Sequence, residues 1–128
     1  MSRLRHVLRS GAAGLGIALL ATVALAQQAN VTGKWTFNVQ TSGGGGTPTV
    51  TFKQDGERIT GHYSSETFGE VDFTGTVKGT AIRFAFASSV QGQQVDVVYE
   101  GTVEKDTMKG TIAIAAGQLA GTFTGTKQ

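Results

Sequence analysis

The sequence contains no cysteine. That absence excludes disulfide cross-links and thiolate metal centres, and it leaves no residue here for the acylated anchor of a bacterial lipoprotein. Histidine is nearly absent too, with His6 and His62 alone, so any mechanism that needs a base beside a nucleophile has few places to sit. Charge is sparse at 16% of residues. The lysines from Lys34 to Lys127 are scattered singly, without the basic stripe that a nucleic-acid binder presents to phosphates. No segment repeats apolar residues at helical spacing. The longest apolar run, Gly14 to Ala24, is shorter than the ~20 residues that a membrane-spanning helix needs.

That run belongs to an N-terminal stretch unlike the rest. Arg3, Arg5 and Arg9 precede it, and Ala24-Leu25-Ala26 closes it with small residues at the two positions a signal peptidase reads. Residues 1–26 are therefore expected to be a signal peptide, cleaved before Gln27, and residues 27–128 a single domain exported to the periplasm or beyond. Three of the 11 basic residues and none of the 9 acidic ones lie in the leader. The mature chain is left with eight basic against nine acidic residues, so the basic character of the precursor says nothing about its partners.

From Gly33 onward apolar and polar residues alternate with period two, and Gly or Asp-Gly breaks recur every eight to twelve residues, the pattern of an all-β sandwich or barrel. Eight strands are expected. Trp35, Phe37 and Val39 share one face of the first; Val50 and Phe52 of the second; Ile59, Gly61 and Tyr63 of the third; Val71, Phe73, Gly75 and Val77 of the fourth. Ile82, Phe84 and Phe86 follow on the fifth, Val95, Val97, Tyr99, Gly101 and Val103 on the sixth, Met108, Gly110, Ile112 and Ile114 on the seventh, and Leu119, Gly121, Phe123 and Gly125 on the eighth. Each strand has one dry and one wet face, as a one-sided antiparallel sheet requires. Gly61, Gly75, Gly101, Gly110 and Gly121 all fall on the inward phase, where glycine relieves crowding in a tightly coiled sheet. This favours an eight-stranded antiparallel up-and-down barrel over a sandwich, because closure also removes exposed edges.

In such a barrel alternate connections lie at the same end. Asp55-Gly56, Lys78-Gly79 and Glu104-Lys105-Asp106 predict tight turns at one end. Thr41 to Thr47, with four consecutive glycines, Ser64 to Phe68, Ser88 to Gln93 and Ala115 to Gly117 predict a ring of loops at the other. The glycine run lacks the Lys-Ser/Thr ending of a phosphate loop and is expected to be flexible.

Gly33-Lys34-Trp35, Ile59-Thr60-Gly61-His62-Tyr63-Ser64-Ser65, Phe73-Thr74-Gly75, Tyr99-Glu100-Gly101 and Gly121-Thr122-Phe123-Thr124 together resemble the avidin and streptavidin family, and more distantly the lipocalins. The resemblance implies an eight-stranded barrel. It places Tyr63 and Ser65 where that family hydrogen-bonds the ureido oxygen of biotin, and Trp35 at the family's first-strand tryptophan. It does not carry the rest of the biotin site. Phe37 stands where the family has Asn, Gly121 where it has a buried Asp, and Trp35 is the one tryptophan in the chain.

An eight-stranded barrel is near the size at which side chains just fill the interior or leave room for one small ligand. The first expected function is thus a binding module for a small apolar or amphipathic molecule at the looped mouth, with Tyr63, Ser65 and Tyr99 as polar contacts and Trp35, Phe37 and Phe86 as walls. The second is a filled barrel with a structural or interaction role, able to form a homo-oligomer through the outward Ala85, Ala87, Val98, Ala113 and Ala120. An enzyme is not expected. Its one candidate cluster, His62 with Glu70 and Asp72, lies on the wet face, where His62 opposite Glu70 reads as a cross-strand polar pair. No cofactor and no metal is expected.

Overall fold

The computed structural model describes residues 28–128; the expected leader and its cleavage site lie outside the described residues. Nine strands follow in chain order, β1 Gly33–Thr41, β2 Gly44–Gly46, β3 Thr49–Asp55, β4 Arg58–Ser65, β5 Gly69–Lys78, β6 Ala81–Val90, β7 Gln93–Glu104, β8 Thr107–Ile114 and β9 Leu119–Lys127. All pairings are antiparallel. β9 returns to β1, from Trp35 opposite Lys127 to Thr41 opposite Gly121, and closes the sheet. β2 and β3 pair with β1 in one continuous register, Thr41 opposite Gly44 and Trp35 opposite Val50. They are one stave interrupted at Thr47 and Pro48, so the barrel has eight staves, as its periodicity predicts.

The glycine run is the main departure. It is not a flexible loop: Gly44–Gly46 forms β2, and the chain reverses at Ser42 and Gly43. Thr41 secures the reversal, its hydroxyl donating to the Gly44 carbonyl at 2.7 Å and accepting from the Gly43 N–H at 3.1 Å. Gly45 lies against the β1 backbone, where an added Cβ would come within 2.7 Å of the Val39 carbonyl oxygen. The expected contrast between a turned end and a looped end is also corrected. Both ends are made of short turns, and the longest connection at the mouth end is Ala115–Gln118. What distinguishes the ends is a plug.

Residues 28–32 cross the closed end as a strap. Val31 is fully buried, and its N–H donates to the Gln54 side-chain carbonyl while its own carbonyl accepts from the Trp35 indole N–H at 2.9 Å. The Gln54 amide also donates to the Ala29 carbonyl at 2.8 Å. Ala29 N–H donates to Gly79, and Gln28 bridges Val77 and Gly79. Ordering a residue costs about 1–2 kcal/mol of backbone entropy and each hydrogen bond returns about 1 kcal/mol. The strap is therefore held by the sum of these bonds with the burial of Val31, and by no one of them alone.

Above the strap the interior is filled by aromatic side chains. Phe37 packs on Phe123 with ring centroids 5.0 Å apart, Phe73 on Phe84 at 4.5 Å, and Phe84 on Tyr99 at 4.8 Å. The inward glycines make room for these rings. Phe123 lies opposite Gly110, Phe84 opposite Gly75, Phe73 opposite Gly61 and Phe37 opposite Gly125. At Gly110 an added Cβ would collide with the Glu100 carbonyl oxygen of β7, which shows how sharply the sheet coils there.

Outside, the polar set faces solvent. This is the inverse of a transmembrane barrel, whose outer surface is an apolar band. Among the outward apolar residues, Ala85, Val98, Ala113 and Ala120 form one row across β6 to β9, while Ala81 and Ala87 stand apart from it, opposite Thr102 and Asp96.

Candidate functional site

The aromatic filling stops short of the mouth. Above it lies a cavity of about 680 Å³, within the range of small-molecule sites, ~300–1,000 Å³. Its apolar lining comes from the last inward residues of several staves, Val39 of β1, Val90 of β6, Val95 of β7, Ile112 and Ile114 of β8, and Leu119 of β9. Strand periodicity places them there, each being the inward residue nearest the mouth or the next one down. Tyr63 and Phe68 border the cavity, and the rim is made of Gly43 to Pro48 and Ser64 to Thr67.

Two features open this end. The β5–β6 ladder runs only from Lys78 opposite Ala81 to Thr74 opposite Ala85, so Gly69–Phe73 and Phe86–Val90 do not pair with each other. Likewise the β7–β8 ladder ends at Val97 opposite Ile114, with one further bond from the Ala115 N–H to the Asp96 carbonyl, and the tip of the β6–β7 hairpin beyond it is a two-stranded ribbon. A ribbon without neighbours is marginally stable, which makes this the most yielding wall. Phe68, from the β4–β5 turn, closes the slit part-way. Its N–H donates to Ser65 Oγ at 2.9 Å, its carbonyl accepts from Ser88 Oγ at 2.7 Å, and its ring packs edge-on against Phe86.

Beneath Phe68, the hydroxyls of Tyr63 and Tyr99 meet at 2.6 Å in the buried interior. Burial pushes the phenol of Tyr99 far above its ordinary value and that of Tyr63 upward as well, so both are neutral donors in the folded protein. One proton serves the bond between them. Since Tyr99 is fully buried and Tyr63 borders the cavity, a Tyr99-to-Tyr63 bond leaves the Tyr63 proton for an acceptor on the cavity side.

Of the residues expected to bind, Tyr63 and Ser65 border the cavity, and Phe86 packs behind Tyr63 at 4.6 Å. Tyr99 lies one layer lower. Phe37 is at the centre of the core, between Phe52, Phe84, Tyr99 and Phe123. Trp35 is at the opposite end, against the strap, with the Lys127 ammonium 5.8 Å from its ring. The reading of the sequence missed Val39, Ile114 and Leu119 because it favoured aromatic side chains over position. Phe68 carried no signal, since it sits in a turn outside the strand phase.

His62 lies on the outer face, away from the cavity. It stands opposite Asp72 rather than Glu70, which is opposite Ser64, two pairs further toward the mouth on the same face. The ring reaches both, with Nδ1 2.7 Å from Asp72 Oδ1 and Nε2 2.8 Å from Glu70 Oε1, while Ser64 donates to the other Glu70 oxygen. Hydrogen bonds to Asp72 and then Glu70 raise the His62 pKa above 6.5. Hydrogen bonds from His62 and Ser64 hold Glu70 below its ordinary value. Both ring nitrogens face carboxylates, an arrangement suited to a protonated bridge between β4 and β5. Among the described residues no group of three or more His, Asp or Glu side chains is arranged to hold a metal ion.

The fold and site together define a closed, eight-stave up-and-down β-barrel, strapped shut at one end and hollow at the other. No protein-family model matches the sequence, and no curated protein matches it.

Proposed function

We propose that this protein is an exported binding module that holds one small apolar or amphipathic molecule in the mouth of its barrel. The observation that supports this reading most is the apolar cavity above the Tyr63–Tyr99 pair, in a barrel whose remaining interior is filled. An apolar wall beneath a polar rim, here Thr41, Thr47, Ser64, Ser65, Glu66 and Thr67, is a usual form of a small-molecule site. On this reading the ligand's apolar body rests among Val39, Ile112, Ile114 and Leu119, and an inner oxygen of the ligand accepts the spare Tyr63 proton. Two of the avidin-like positions, Tyr63 and Ser65, border the same cavity, while the third, Trp35, lies at the strapped end. The protein binds its ligand and does not transform it. The N-terminal leader fits such a role outside the cytoplasm.

The neutral fluorophore N-phenyl-1-naphthylamine, which brightens in apolar surroundings, tests the reading on the mature protein. Saturable brightening is expected, weakened tenfold or more by Leu119→Trp or by Val90→Trp, each of which fills the cavity from a different wall. The reading fails if brightening is absent, or if both variants keep the wild-type affinity while remaining folded.

A further inference from the structure

Charge is distributed unequally along the barrel axis. All eight lysines and arginines among the described residues, from Lys34 near the start of β1 to Lys127 at the end of β9, lie in the closed half of their strands or in the turns at that end. Each is at least five residues from the nearest rim residue of its own stave, about 16 Å of strand and well beyond a screening length of ~8 Å at physiological salt. The mouth half carries Glu66, Glu70, Asp72 and Asp96. His62 alone opposes them, and it is already engaged by Asp72 and Glu70. Glu66 is an exposed rim residue of the cavity itself, and among the described residues it is the sole charged side chain bordering it.

We propose that the mouth selects a cationic amphiphile, with its apolar chain in the cavity and its ammonium group at the rim beside Glu66. The proposal rests on the binding reading above and adds the sign of the ligand's charge. A chain ending in a carboxylate would place its anion among carboxylates with no cation in reach. A neutral chain would gain only the apolar burial. The acidic mouth also raises the local concentration of cations and steers them to the opening, an effect that salt weakens.

Displacement of N-phenyl-1-naphthylamine by decyltrimethylammonium and decanoate below their micelle concentrations, and by decanol below its solubility limit, tests the proposal on one chain length with three head groups. At low salt the ammonium compound is expected to bind about two- to fivefold more tightly than decanol, the range open to an exposed ion pair, and decanoate is expected to be the weakest. Glu66→Gln, which preserves shape, is expected to narrow the ratio of ammonium to decanoate about threefold or more and to leave decanol unchanged; high salt acts in the same direction. The proposal is overturned if decanoate binds as tightly as the ammonium compound, or if neither Glu66→Gln nor salt moves their ratio. It is also overturned, with the binding reading intact, if the fluorophore binds and none of the three displaces it. Failure of the fluorophore itself to bind counts against the binding reading.

Discussion

Tyr63 and Tyr99 show how two residues on staves that are not neighbours fix the floor of a cavity. Tyr99→Phe or Tyr63→Phe strips one hydroxyl of its partner. At Tyr99, with no exposed surface, the orphaned group has no access to water, so Tyr63→Phe is expected to cost about 1–3 kcal/mol. Tyr99→Phe should cost less, because Tyr63 borders the cavity and can regain a partner from solvent. The double variant, which removes both hydroxyls and keeps both rings, should be more stable than Tyr63→Phe alone. Urea unfolding of the three variants measures this, and simple addition of the two single losses would contradict a direct bond. Period-two alternation assigns both tyrosines to the interior. It cannot show that they meet, because contact across the barrel depends on stagger and closure, which no single strand encodes.

At the scale of elements, what was legible was what repeats. β5 alternates apolar and polar residues over its whole length, β4 does so from Arg58 to Ser64 and β7 from Val95 to Glu104 but for Val98, and a slip of one residue would turn each inside out, so their facing follows from the sequence alone. β2 was illegible for the opposite reason: three consecutive glycines have no side chains to alternate. The strap was illegible because Gln28 to Thr32 has no period, and Val31 is buried by a side-chain amide from Gln54 rather than by a ladder. The same geometry makes a test. Gln54→Ala removes the amide that accepts from Val31 and donates to Ala29, and is expected to destabilise the protein by about 1–3 kcal/mol. Because Trp35 is the one tryptophan and donates to the Val31 carbonyl, its emission should shift to the red as the strap loosens. Unchanged emission in a folded Gln54→Ala protein would mean that the strap does not depend on this residue.

For the whole molecule, the candidate site was legible in location and only partly in composition. Inward-facing residues at the ends of β1, β8 and β9 were assigned to the interior from the sequence, yet which end stayed hollow depended on Val31 filling the other. Charge polarity along the axis was likewise invisible until connection order placed every described lysine and arginine toward the strapped end. The barrel is therefore asymmetric in three respects at once: closed below and open above, filled below and hollow above, basic below and acidic above. These asymmetries make the mouth, and no other surface, the place where a ligand should enter.

Methyl-resolved NMR of the mature protein titrated with N-phenyl-1-naphthylamine tests that claim most directly. The account predicts saturable shifts at Val39, Val90, Ile114 and Leu119, with Val31, Ile59 and Val77 at the closed end unmoved. Shifts concentrated at the closed end, or on Val98 in the outer row across β6 to β9, would contradict it.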